Sequence, residues 1–256
     1  MDFIDRVQSA MFGRGGLTST SPATLLKFTK LEPSIQRHLS RVYLTLLCAT
    51  ALVTVGCTLA TQFYINTWMS LLAGMGAGAV LAFTPNTPQN MNKRLLCLAG
   101  VALAQGTALA PLVQVAAAVS PALVVTALLA TLAVFTCFTL AALITPRRSY
   151  LYLGAFLSSA VLGLWALRLG GWLFGASALT YSLELYSGLL VFTGYVLVDT
   201  QVIVERAAAG NLDVVDHTLF LLVDLVAIFV RVLTILIRST QEKERRERGR
   251  ASRRDK

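Results

Sequence analysis

The apolar residues of this 256-residue chain come in runs of about 20, the length an α-helix needs to cross roughly 30 Å of hydrocarbon at 1.5 Å per residue. Such runs have no place in a water-soluble core of ordinary composition. Only 14% of the residues are charged and 55% are hydrophobic, with a mean hydropathy of +0.67, whereas about a quarter of a soluble domain is charged. The fold class this predicts is an all-α integral membrane protein, a bundle of seven helices.

The expected spans run from about Val42 to Phe63, Trp68 to Phe83, Leu95 to Val119, Pro121 to Ile144, Tyr150 to Leu169, Glu184 to Val204 and Thr218 to Ile237. Proline punctuates them as its missing amide requires. Pro85 and Pro88 close the second span, Pro111 falls inside the third, and Pro121 opens the fourth. In the second span, Gly74 and Gly78 form a GxxxG step that lets a neighbouring helix approach closely. Three regions follow: 1–37, a largely flexible cytosolic segment; 38–238, the seven-helix domain; and 239–256, a basic tail not expected to fold alone.

The first 37 residues lack the continuous apolar core of a cleavable signal peptide, so insertion is expected to start at the first internal span. Phe3, Ile4, Val7 and Met11 share a helical spacing that suits contact with a membrane surface. Cys48, Cys57, Cys97 and Cys137 lie in or beside apolar runs without metal-ligand spacing and read as small reduced hydrophobic side chains.

A net charge of +9 does not point to nucleic acid here, because Lys and Arg sit between the apolar runs and in the tail, the distribution of a polytopic membrane protein. With the N-terminus in the cytosol, Lys30, Arg37, Arg41, Lys93, Arg94, Arg147, Arg148 and Arg206 all fall on the cytosolic side. A seventh full crossing then puts Lys243, Arg245, Arg246, Arg248, Arg250, Arg253, Arg254 and Lys256 on the other side. The expectation is a cytosolic tail, reached by a last helix that re-enters without crossing or by a tail that overrides the count.

A carboxylate inside a membrane helix is costly unless it is paired, protonated or facing a cavity, so Asp199 and Asp224 are the leading candidates for function. They lie at similar distances on either side of the Asn211–Leu212 turn, which places them at one depth in an antiparallel helix pair. Two such groups cannot both ionise cheaply; one holds its proton towards neutral pH, and the pair titrates as a unit. When both are ionised, their oxygens suit Ca²⁺, although two carboxylates fall short of its usual six to eight ligands.

His217, Asp224, Arg231 and Arg238 recur every seven residues and form one stripe that drifts only about 20° per step. On the preceding helix, Glu184, Tyr195, Asp199 and Arg206 fall near one face. Arg231, Arg206, His217, Glu184 and Tyr195 are therefore candidate partners of the aspartate pair. The competing reading is structural, an ion pair of Asp224 with Arg231 or of Asp199 with Arg206. His217 also reads as a first-turn residue, and Glu205, Asp213 and Asp216 as solvated residues of the connecting turn.

Four stretches, PSIQRHLSRVYLTLLCA, RRSYLYLGAFLSS, ELYSGLLVFTGYVLVDTQVIVERAAAGNLDVVDH and TLFLLVDLVAIFVRVLTIL, stand in the order found in one family. Between about Pro33 and Arg238 the chain resembles the Bax inhibitor one group of the transmembrane Bax inhibitor motif family, and its plant and algal branch more than its animal one. The resemblance implies a seven-helix fold with the last helix central, residence in the endoplasmic reticulum, suppression of cell death and a pH-sensitive Ca²⁺ leak. It maps the family's aspartate pair onto Asp199 and Asp224. Animal members carry another aspartate one turn earlier, where this chain has Phe220, which puts animal-type Ca²⁺ conductance in doubt. In plant members the basic tail is associated with calmodulin; anionic lipid suits the same charge.

Two functions are thus expected: a Ca²⁺ leak channel or exchanger gated by protonation of the pair, or a regulatory scaffold that binds cell-death or stress partners and transports nothing. An intramembrane aspartyl protease is a remote third, because Val198 and Val223 precede the aspartates and the YD and GxGD settings are missing. A rhomboid-type GxSG motif is absent as well. No enzymatic activity and no cofactor are expected, with Ca²⁺ entering only as a transported ion.

Overall fold

The structure, a computed structural model, describes residues 32–63, 65–145, 151–175 and 177–254. Seven α-helices follow in order: α1 (Pro33–Phe63), α2 (Thr67–Phe83), α3 (Met91–Val119), α4 (Pro121–Ile144), α5 (Leu151–Phe174), α6 (Ala178–Ala208) and α7 (Val214–Arg254). A 3₁₀ turn at Pro88–Asn90 joins α2 to α3, and no strand occurs among the described residues. Six of the helices are long and apolar enough to cross a membrane; α2, with 17 residues, is shorter.

Every helix runs the length of the bundle, as contacts at its two faces show. At the head face, where α1 starts, Leu81 near the end of α2 packs with Leu98 of α3 and Val215 of α7. At the opposite, tail face, Ala116 of α3 and Ala127 of α4 pack with Leu233 and Ile237 of α7. Returning to the head face, α4 brings the Ala142 carbonyl to Gln201 of α6, 3.5 Å away. Along α5, Leu157 and Leu164 pack with Val191 and Val198 of α6. The same two helices are joined near the tail face by Arg168 and Glu184.

Exposed aromatic residues mark both faces, Phe83 and Tyr152 at the head and Phe63, Trp68, Trp172 and Phe174 at the tail. Rings at these levels suit the two membrane–water interfaces, and the exposed Leu, Val and Met side chains between them suit lipid.

The core is centred on α7, which packs against α1, α3, α4 and α6. Val215, His217, Thr218, Leu221, Leu222, Ile228 and Leu233 of this helix are fully buried. Glycine sets the closest approach between neighbours. At Gly56 a Cβ would strike the Leu103 backbone, and at Gly106 it would strike Val53 and Cys57, so α1 and α3 meet backbone to backbone. Gly74 faces Ala104 and Gly78 faces Val101, so the expected GxxxG step packs α2 on α3.

Several boundaries differ from those read in the sequence. α1 begins at Pro33 and α6 at Ala178, a turn or more before the expected starts: Ser177 caps α6 by accepting from the Thr180 amide at 3.0 Å, and polar residues ahead of Val42 extend a helix that the apolar run has already nucleated. The same effect carries α7 through the basic tail to Arg254, since residues 241–250 are, apart from Gly249, strong helix formers.

The last helix, expected either to re-enter or to cross, is long and apolar enough to cross a membrane fully. Its 41 residues span about 60 Å, well beyond a hydrocarbon core of roughly 30 Å. Phe3, Ile4, Val7, Met11, Arg147, Arg148 and Lys256 lie outside the described residues. The four cysteines are unpaired.

Candidate functional site

Asp199 of α6 and Asp224 of α7 face one another across the α6–α7 seam, their carboxyl groups side by side. Gly210, at φ +90°, turns the chain between the two helices and allows them to run back to back. Asp224 is buried and Asp199 half-buried. Oδ2 of Asp224 receives no hydrogen bond from any described donor.

The seven-residue stripe of α7 is shared between two neighbours. Asp224, Arg231 and Arg238 turn to α6, where Arg231 lies over the Phe192 ring at 4.3 Å. Arg238 lies over Tyr181 at 4.0 Å and reaches Ser182 Oγ at 3.3 Å. His217 turns instead to α1, its Nδ1 2.8 Å from Nε2 of His38.

The candidate partners are therefore engaged elsewhere. Glu184 bonds Arg168 at 2.8 Å, the Tyr195 hydroxyl lies 3.3 Å from Ser158 Oγ, and Arg206 lies 3.6 Å from Asp216 and over the Phe220 ring. Only Arg206 still acts on Asp199, at longer range. The structural alternative fails in the form expected: among the described ion pairs, neither Asp224 with Arg231 nor Asp199 with Arg206 appears.

Asp213 also departs from expectation. It is buried, not solvated; Oδ2 accepts from Arg94 Nη1 at 2.6 Å, and Oδ1 accepts from the Asp216 amide at 3.1 Å, capping α7. Asp216 is half-buried in the first turn of α7, and Glu205 half-buried in the last turn of α6. One carboxylate thus joins α3 to the start of α7 and satisfies one of its free amides. The sequence held the cap signal, an aspartate three residues before a second one and just ahead of an apolar run. It held no signal pairing Asp213 with Arg94, 119 residues away.

A separate cluster of buried hydroxyls joins α1, α4 and α6, which periodicity does not reveal. Tyr43 of α1 places its hydroxyl beside Thr139 of α4 and Thr200 of α6, and Thr200 follows Asp199 in the chain. The described residues contain no group of three or more His, Cys, Asp or Glu arranged to hold a metal ion. A cation at the pair would therefore take most of its ligands from water and backbone carbonyls.

A seven-helix membrane bundle built round its last helix, with a pair of carboxyls in the seam beside that helix, defines an all-α polytopic membrane protein. Residues 35–241 match the family described as inhibitor of apoptosis-promoting Bax1. The chain is 39% identical to Bax inhibitor 1 of Arabidopsis thaliana, over 94% of this chain and 97% of that one. It is 38% identical to Bax inhibitor 1 of Oryza sativa, over 88% and 92%, and 36% identical to that of Homo sapiens, over 88% and 95%. The chain belongs to the Bax inhibitor family.

Proposed function

We propose that this protein suppresses cell death from the endoplasmic-reticulum membrane as a pH-sensitive Ca²⁺ leak channel or exchanger, gated by the Asp199–Asp224 pair. The observation that carries the reading is the contact of the two carboxyls inside the α6–α7 seam. Because adjacent carboxylates in an apolar seam cannot both stay charged without a counter-ion, the pair holds one proton or takes up one cation. Proton and Ca²⁺ compete for the same oxygens, which couples leak to pH. The basic end of α7 faces the cytosol, where anionic lipid or calmodulin meets its charge. No covalent chemistry is assigned to the carboxyls.

The test is Ca²⁺ flux in proteoliposomes from about pH 6 to 8, a window above the usual carboxylate range that the proton-holding member of such a pair reaches. Asp199→Asn and Asp224→Asn each mimic a fixed proton and should each flatten the pH profile; the double variant should add little to either. If both single variants keep the wild-type profile, or if the wild type shows no flux at any pH, the leak reading fails. A non-transporting scaffold for cell-death regulators then takes its place.

A further inference from the structure

Seven residues beyond Asp224 on α7, about 10 Å further towards the tail face, Arg231 occupies the same α6–α7 seam as the carboxyl pair. Its seat is specific. The guanidinium lies over Phe192 at 4.3 Å, and Nη1 donates to the Ala227 carbonyl at 3.0 Å. Nε fills a notch at Gly188 of α6, where a Cβ would overlap Nε and come within 3.0 Å of Nη2 and 3.1 Å of Cζ. No described carboxylate is within ion-pair distance of Arg231. Glu184, one turn before Gly188, acts on it only at longer range and is bonded to Arg168.

An arginine at membrane depth with no carboxylate in direct contact is costly, and a glycine notch, an aromatic face and a carbonyl of its own helix replace only part of its hydration. Helix packing alone would be served as well by an apolar side chain. What an apolar side chain cannot provide is a fixed positive charge between the carboxyl pair and the tail face. Because the charge is held by a notch, it is also held in one place.

We propose that Arg231, docked in the Gly188 notch, is the electrostatic barrier that closes the tail-face half of the cation path, and that its release from the notch opens that half. The inference rests on the leak reading of the aspartate pair. In this arrangement Asp199 and Asp224 set the pH dependence, Arg231 sets the resting leak, and Gly188 is the positioning residue that keeps the guanidinium in place.

The experiment is Ca²⁺ flux in proteoliposomes containing the full chain. Arg231→Gln should raise resting flux by about tenfold or more, the scale on which a fixed charge in a cleft alters local ion concentration, while flux stays pH-dependent. Gly188→Ala, which fills the notch and leaves the charge in the chain, should raise flux similarly, and combining it with Arg231→Gln should add little. Arg231→Lys should keep the low flux. Melting temperature and monodispersity identify folded variants, and if Arg231→Gln does not fold, the Gly188→Ala and Arg231→Lys results decide.

Wild-type flux in Arg231→Gln and Gly188→Ala, with the pH profile of the aspartate pair intact, would overturn the barrier and leave the leak reading standing. Equal acceleration by Gln and Lys would overturn it as well, because charge would not be what blocks the path. Absence of flux in the wild type and every variant would overturn the leak reading and, with it, the barrier.

Discussion

Asp213 joins two tasks in one side chain, and the arrangement predicts what its loss would do. With side-chain exposures of 5% and 10%, Arg94 and Asp213 form a buried pair whose members have given up most of their hydration. Removing one partner leaves the other charged and uncompensated, which costs about 3–5 kcal/mol in comparable settings. Arg94→Ala should therefore lower the melting temperature clearly in detergent, whereas the double replacement Arg94→Met with Asp213→Asn, which keeps a capping oxygen, should recover much of the loss. Thermal unfolding of purified protein measures both. Asp199 and Asp224 were legible in the sequence because carboxylates inside apolar runs stand out one residue at a time. Arg94 and His38 were not, because each sits beside other basic residues at a helix start and looks solvated until its distant partner is seen. The buried hydroxyls of Tyr43, Thr139 and Thr200 were hidden for another reason: Thr and Tyr are common in membrane helices and carry no charge to mark them.

α7 shows how far periodicity reaches at the scale of the element. The seven-residue recurrence of His217, Asp224, Arg231 and Arg238 requires a helix shielded from lipid, and α7 is packed on four neighbours. The recurrence does not say which neighbour meets which residue, because the drift per heptad turns His217 to α1 while the other three meet α6. Likewise the GxxxG step in α2 was visible as a motif, whereas the closer α1–α3 contact at Gly56 and Gly106 rests on two isolated glycines in different helices. For α7 the expected outcome is direct. In a background lacking the four native cysteines, Asp224→Cys should resist a maleimide or nitroxide label delivered in the lipid phase and react only with a small water-soluble reagent. Val223→Cys, at a position 43% exposed, is the matched control and should react from lipid. Ready lipid-phase labelling at 224 would show that α7 is not enclosed.

At the scale of the whole molecule, the direction of α7 decides where the ends of the bundle lie. α1 starts at the head face, beside His217 and the Arg94–Asp213 pair, and each later helix reverses direction, so the basic end of α7 leaves from the tail face. The start of α1 and the basic end of α7 therefore lie at opposite faces of the bundle, and with seven crossings a cytosolic start cannot coexist with a cytosolic tail. Charge alone left this open, because the head face gathers Arg37, Arg41, Lys93, Arg94 and Arg206, while the tail from Lys243 to Lys256 carries eight basic residues against three acids. Local charge can bias insertion at either end, and adding C-terminal charge can invert an orientation set by earlier helices. The proposed cytosolic tail thus commits the head face to the lumen. Single cysteines placed at Ser34 and Gln241, both exposed, in a background lacking the native four, report the two faces in sealed microsomes of known orientation. An impermeant maleimide added outside should label Gln241→Cys and spare Ser34→Cys until the membrane is permeabilised. In the same vesicles, neutralising Lys243, Arg245 and Arg246 should weaken binding of added calmodulin or anionic liposomes and leave the melting temperature unchanged, because these side chains are exposed. The reverse labelling would keep seven crossings, place the head-face basic residues in the cytosol and remove cytosolic calmodulin as a partner of the tail. Labelling of both cysteines from one side would overturn the seven-crossing path itself.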